Sequence, residues 1–289
     1  DALHKLLTSW DRPDGEPLKT ALEVHRCAKE ISSGFYYRWR WPKNEPLEVR
    51  AKWLEVRGRW GREQREKLKQ SKEFMDSPLL LTKAAIRWYE GYVHIDELGK
   101  RHQIAPNARN GPLPVWDSDV WPEWKEVRDT CAPETEGVWI DQWLAQDAAE
   151  WIKKPGIVWY EHDLFGRRTA ELSGQPFYGP GAEASAKIIT ELGTRGIVAS
   201  IRSHGTGKNL QAFDRNLIAN QPTDAGAWEQ LIGRTHRQGQ LSDEVTVEVY
   251  RHTATMIEAL NKAKMYAQWH QGMKGGLTKL LRATYLFGN

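Results

Sequence analysis

The chain has 289 residues, enough for one large domain or two of moderate size with a buried core. At 40% hydrophobic and 27% charged residues with a net charge of +3, it excludes a low-complexity chain and does not demand nucleic acid on charge alone. No apolar run approaches the ~20 residues of a membrane span and no basic-then-apolar signal opens the chain, so no membrane partner and a cytoplasmic location are expected. Cys27 and Cys131 lie far apart in no ligand spacing, which excludes a disulfide framework and a zinc site; no metal ligands are expected. The start at Asp1 without a methionine is read as the mark of a piece of a longer protein.

In chain order, residues 1–137 read as a mainly helical, basic, Trp-rich region. Thr20–Ser33 fits a helix ending near Gly34. Val49, Trp53, Val56 and Trp60 fall on one helical face, although Gly58 and Gly61 weaken that helix. Residues 48–72 carry nine Lys/Arg against four Glu, with Trp53 and Trp60 inside the run. Two accounts are open: tryptophans in a core beneath a solvated cationic face, or rings stacking on bases while cations meet phosphates. The proline-rich stretch from about 107 to 133 (NGPLPVWDSDVWPEW within it) reads as a long structured loop.

From residue 138 the texture changes. Val138–Ile152 is expected as a helix, Gly156–Glu161 as a buried strand, Leu164–Leu172 as a helix and Phe177–Tyr178 as a short strand. A helix over Glu183–Leu192, a strand over Gly196–Ile201 and strand-like Leu217–Ala219 follow. Ala225–His236 reads as a helix, Glu244–Tyr250 as a strand and Thr255–Trp269 as a closing helix. Short strands alternating with helices imply an α/β layer over 138–289 with a mostly parallel sheet flanked by helices. Ligands of such sheets sit at the carboxyl ends of strands.

SHGTGKNLQ (203–211) stands at such an end, directly after the strand GIVASI. It is not a P-loop, because Arg202 occupies the place of the first glycine and Asn209 that of the hydroxyl residue. Further on, AGAWEQLIGRTHR (225–237) places Gln230, Arg234 and Arg237 within about 60° on one helical face, with Trp228, Leu231, Ile232 and Thr235 opposite. Arginine suits a dispersed phosphoryl charge, being planar, permanently charged and forked; a solvated helix face could carry the same pair.

QLIGRTHRQGQ (230–240) resembles motif VI of superfamily 2 helicases and translocases, and SHGTGKNLQ resembles their motif V. IVWYEH (157–162) sits where motif IV belongs. Within that superfamily the similarity is to the Swi/Snf-like branch, including its bacterial and bacteriophage members, over roughly residues 138–255. The resemblance implies a RecA-like second domain, with ATP and Mg²⁺ bound in a cleft against an N-terminal RecA-like domain of the same protein, and DNA as substrate.

By that resemblance Arg234 and Arg237 match the motif VI arginines that reach the ATP phosphates, Arg237 being the arginine finger. Gln230, Gly233 and Gly207 would couple nucleotide to the cleft. Gly205, Thr206 and Lys208 would contact nucleic acid, Lys208 standing where the family usually has an apolar residue. Arg57, Arg59, Arg62 and Lys67 are the candidate phosphate contacts of the variable territory. His204 and His236 read as spacers. No GxxxxGK[ST] occurs in the 289 residues, and Asp96–Glu97 in YVHIDELG reads as an ordinary turn. The Walker motifs and Mg²⁺ ligands are expected on the N-terminal domain, and this chain alone is expected not to hydrolyse ATP. The alternative is a non-enzymatic nucleic-acid-binding module on a helicase-like fold.

Overall fold

The computed structural model describes residues 2–18, 20–43, 45–70, 78–109, 117–276 and 278–285. Helices α1 (Ala2–Ser9) and α2 (Ala21–Ile31) open the chain, and strand β1 (Phe35–Arg40) follows. Helix α2 is fixed by a capping box: Thr20 Oγ1 accepts from Glu23 N at 3.2 Å, and Glu23 Oε2 accepts from Thr20 N at 3.0 Å. Next come α3 (Leu47–Gln70), α4 (Pro78–Glu90), the hairpin strands β2 (Tyr92–Ile95) and β3 (Arg101–Ile104), and α5 (Trp121–Val127). Strand β4 (Glu134–Trp139) pairs with β1, and α6 (Trp143–Trp151) follows.

The remaining order is β5 (Gly156–Tyr160), α7 (Asp163–Ser173), β6 (Phe177–Tyr178), α8 (Ala182–Ile188), β7 (Gly196–Ser200), α9 (Ile201–His204), β8 (Arg215–Ile218), α10 (Ala225–Ile232), β9 (Thr246–Val249), α11 (Ala254–Lys274) and α12 (Lys279–Arg282).

The chain forms two compact units, residues 1–38 with 137–289, and residues 39–136. The expected lead-in over 1–137 is therefore divided. Its first 38 residues belong with the α/β unit, because α1, α2 and Tyr36 share a buried cluster to which Val138 is added.

In the α/β unit, five strands pair in the order β6-β7-β5-β8-β9, every neighbouring pair parallel. β5 (GIVWY) and β7 (GIVAS) are buried along their whole length, as continuous apolar runs covered on both faces should be. Alternate residues serve opposite faces. Ile157, Trp159, Ile197 and Ile218 pack under Trp228 and Leu231 of α10 and Leu260 and Ala263 of α11. Val158, Tyr160, Val198 and Leu217 pack under Leu144 and Ala148 of α6 and Phe165 of α7. This is the parallel sheet flanked by helices expected of a RecA-like domain.

One buried polar residue ties this layer together. Asn216 on β8 is 2% exposed, and its Oδ1 accepts from Trp159 Nε1 on β5 at 3.0 Å. Its Nδ2 donates to Thr235 Oγ1 at 3.1 Å and to the Thr246 carbonyl on β9 at 3.3 Å. Both polar ends of the buried amide are thus matched.

In residues 39–136, Trp53, Val56 and Trp60 of α3 pack against Ala85 and Trp88 of α4 and Trp121, Trp124 and Val127 of α5. Trp53 is 7% and Trp60 2% exposed, so these rings are core and offer no stacking platform for bases. Gly58 and Gly61 do not interrupt α3, whose inner face is held by this cluster.

Two expected elements differ. A helix over Val138–Ile152 is replaced by β4 and α6, because residues 134–139 take a strand partner nearly a hundred positions upstream, in β1. The loop expected over 107–133 contains α5, started by Pro122 and by Ser118 Oγ, which accepts from Trp121 N at 3.0 Å; residues 110–116 lie outside the described residues.

Asn216→Ala leaves the Trp159 indole N–H unpartnered in the core and removes both amide donations, and should cost about 2–4 kcal/mol. Urea denaturation followed by far-UV circular dichroism measures it, and a loss below about 1 kcal/mol would show that water satisfies the stranded groups.

Candidate functional site

The loop after β7 begins with the single turn α9, started by Ser200 Oγ, which accepts from Ser203 N at 3.3 Å. Gly205 closes that turn, its N–H donating to the Ile201 carbonyl at 2.8 Å. Gly207 then takes φ +70°, a left-handed conformation that costs a side-chain-bearing residue but not glycine. Thr206 and Gly207 are exposed at the crest of the loop. Lys208 folds back, its ammonium donating to the Ser185 carbonyl at 3.3 Å.

His204 is fully buried and shares a 2.9 Å hydrogen bond between Nε2 and the Gly179 carbonyl. Burial depresses its pKa; the Gly179 carbonyl opposes that shift and nearby Lys208 adds to it. It is thus a neutral spacer binding the loop to the segment after β6. His236, in contrast, is exposed.

The helix carrying the arginines is shorter than its sequence pattern implies. α10 starts at Asp224, whose Oδ1 accepts from Ala227 N at 2.8 Å, and ends at Ile232. Gly233 caps it, and the next N–H groups close tighter bonds, Arg234 N to Leu231 O at 3.1 Å and Thr235 N to Ile232 O at 3.2 Å. Thr235, fully buried, accepts from Asn216 Nδ2 at 3.1 Å and anchors the turn beyond Gly233 to the core. Gln230, Arg234 and Arg237 therefore do not share one helical face through residue 237. They meet instead around a turn, lining an open depression of about 620 Å³ with Gly233, His236 and Gln240.

Within the depression the two arginines have different surroundings. Arg234 donates from Nη2 to Gln230 Oε1 at 2.9 Å, from Nε to the Gln230 carbonyl at 2.8 Å and from Nη1 to the Lys208 carbonyl at 2.9 Å. The Arg234 carbonyl in turn accepts from Leu210 N at 3.0 Å. The loop after β7 and the turn after α10 are thus latched in both directions. Arg237 is exposed and makes no side-chain hydrogen bond or ion pair among the described residues. Arg234 is shifted below the usual guanidinium range by burial and then by the like charge of Arg237, which places the two cations close together. The acidic groups on the lining are Glu229, paired with Lys279 at 2.5 Å, and Asp243. A free guanidinium beside a fixed one suits a multiply charged oxyanion.

The four basic residues singled out in α3 are differently placed. Arg57 lies over the Trp39 and Trp53 rings at 5.0 and 5.3 Å. Arg59 is held by Glu123 at 2.5 Å and Glu55 at 3.7 Å. Arg62 is exposed with no ion pair among the described residues, and Lys67 is half-buried. Asp96 stands in the β2–β3 turn, accepting from Leu98 N and Lys100 N at 3.0 and 2.9 Å. The Asn216 hub and the Arg234 latch onto Lys208 were missed by sequence reading. A polar residue opening the apolar run NLI was the available signal for the first; a backbone acceptor leaves no signal for the second.

No known protein family profile matches the chain, and no curated relative does. Among solved structures it is similar to T4 UvsW, at 17% identity over 44% of this chain and 32% of that one, with a TM-score of 0.34. It is also similar to the C-terminal part of the Fun30 ATPase domain, at 18% identity over 44% of each chain, with a TM-score of 0.33. The chain thus spans less than half of either structure, and likeness at this level says nothing of what it binds or does.

Replacing Arg234 by Ala opens the latch and should cost about 1–2 kcal/mol, discounted because the guanidinium is partly solvated. Amide hydrogen exchange should speed up at residues 206–210. Arg234→Lys should fail to restore protection, because one ammonium cannot reproduce the planar fork.

A group with a depressed folded pKa stabilises above its unfolded value and loses that contribution as pH falls. His204 should therefore cost stability as pH drops below about 6.5. Thermal melts from pH 7.5 to 5 check this: His204→Gln should flatten the decline, and an equal decline in both proteins would show that other groups cause it.

Proposed function

We propose that the α/β unit is the second RecA-like half of an ATP-dependent DNA helicase or translocase of superfamily 2, Swi/Snf-like in its motifs. One observation carries the reading. Where the sequence resembles motif VI, one arginine is spent on a latch to the motif V loop, and the other is left unpaired in an open depression.

In this reading a P-loop domain of the same protein holds ATP and Mg²⁺ and closes on the depression. ATP hydrolysis transfers the γ-phosphoryl group to water, and the Mg²⁺ ligands belong to that partner domain. This chain's residues fit the phosphate end: Arg237 is free to meet the negative charge that spreads over the γ-phosphoryl oxygens in the transition state. Arg234 is the positioning residue. Its bonds to Gln230 and to the Lys208 carbonyl pass a displacement of the arginine turn to the loop that carries Thr206 and Gly207. Exposed backbone N–H groups on that crest, one beside a glycine, suit a close approach to a nucleic-acid phosphate. Lys208, already directed to the Ser185 carbonyl, supports the loop from beneath. Gly233 lets α10 end where the turn must begin.

The same unit with no ATP turnover would be a nucleic-acid-binding module. The two are separated by measuring DNA-stimulated ATPase with the chain joined to its P-loop domain. Arg237→Ala should then lower kcat by ~10³-fold or more, leave DNA affinity within about twofold, and resist rescue by lysine. Turnover unchanged by Arg237→Ala would sink the finger assignment, and no turnover in any form of the protein would leave the binding module.

A further inference from the structure

Lys279 opens α12 and reaches the depression from a part of the chain well beyond the arginine turn. Its place is set by its neighbours. Leu280, 3% exposed, is buried in the core shared by α10 and α11, and the Leu281 and Arg282 N–H groups both donate to the Thr278 carbonyl at 3.1 Å. With the backbone held in this way, Lys279 N donates to Glu229 Oε2 at 2.6 Å and Lys279 Nζ to Glu229 Oε1 at 2.5 Å. The ammonium also lies 3.8 Å from the place a Cβ on Gly233 would take, against the start of the turn that carries the arginines.

Glu229 is poorly suited to its position unless a cation answers it. It stands in the last turn of α10, where the helix dipole disfavours a carboxylate and favours a positive charge. It precedes Gln230, the acceptor of Arg234, and it lines the same depression as Arg237. Arg234 is engaged by Gln230 and the Lys208 carbonyl, whereas Arg237 has no ion pair among the described residues. Arg237 is thus the cation open to an unpaired Glu229. Such a pair would cancel two charges inside the site, and an incoming phosphate would have to break it first.

We propose that Lys279 is a positioning residue for the phosphate end of this site: by holding both oxygens of Glu229 it keeps that carboxylate off Arg237 and leaves the guanidinium open to an oxyanion. The inference rests on the nucleotide reading above, but on two residues outside the stretch that resembles motif VI. Charge on the lining sets the expected order of variants. Arg234, Arg237 and Lys279 stand against Glu229 and Asp243. Lys279→Met removes a cation and frees a carboxylate, Glu229→Gln removes a carboxylate and frees a cation, and the two together leave the balance as it is in the wild type.

The test titrates inorganic tripolyphosphate into the 289-residue chain at low salt and about pH 8, where an ordinary imidazole is neutral, and follows the heat of binding. Arg237→Ala should abolish binding, which marks the depression as the site. Lys279→Met should weaken it about threefold to fivefold, a modest effect because both partners are about a third exposed. Glu229→Gln should tighten binding by a similar factor, and the double variant should return to within about twofold of the wild type. Buried Leu280 keeps α12 docked, so thermal melts should find every variant cooperatively folded. If Lys279→Met binds as the wild type does, or the double variant stays as weak as the single one, the positioning role is overturned and the Arg237 dependence preserves the phosphate site. Weaker binding by Glu229→Gln would make the pair a structural clamp and overturn it equally. A wild-type chain that binds no tripolyphosphate, or binds it no better than Arg237→Ala, would bring down the nucleotide reading of the depression as well.

Discussion

The structure turns on the amide of Asn216. A buried side chain with a donor and an acceptor must have both answered, or it costs as much as a lost hydrogen bond. Here the answers come from two neighbouring strands and from the turn beyond α10: Trp159 supplies the donor, and Thr246 and Thr235 accept. Thr235 meets this amide and so fixes the turn beyond α10 to the core, with the less buried Arg234 and His236 on either side of it. Arg234 and Arg237 owe their positions to a satisfied polar contact in the core.

From that contact the geometry spreads outward. Arg234 stands one residue before the anchor and reaches back to Gln230 and across to the Lys208 carbonyl, so the loop after β7 is fastened to the same fixed point. Two segments well separated in sequence are thereby joined by hydrogen bonds in both directions. Arg237, two residues past the anchor, is left without a protein partner among the described residues. The difference between a latched and a free guanidinium is one of register about Thr235.

The parts legible in the sequence were those governed by neighbours close in the chain. Gly156–Glu161 and Gly196–Ile201 read as strands from their apolar runs, and Thr20–Ser33 as a helix ending near Gly34; the structure forms them over Gly156–Tyr160, Gly196–Ser200 and Ala21–Ile31. Val138–Ile152 misled because local propensity there is overridden by pairing with β1, a partner the local pattern does not contain. The residues around the depression were legible as Gln230, Arg234 and Arg237, yet the helical wheel that grouped them was wrong beyond Ile232. Trp53 and Trp60 show the limit most clearly. A ring on a helix face reads the same whether that face meets protein or bases, and only the packed cluster assigns them to the core.

The pairing of β1 with β4 also has a consequence for how the molecule is made. Those two strands carry the chain out of the α/β unit and back into it, so residues 39–136 are an uninterrupted segment whose ends emerge side by side. During synthesis that segment can complete its own core as soon as it leaves the ribosome. Residues 1–38 close only part of their packing by themselves, because Phe35 finds its partners only after residue 137 has been made. Helices α1 and α2 can pack on one another early, through Leu6, Val24, Cys27 and Ala28, and a closed β1–β4 ladder is the point at which the interrupted unit can resume.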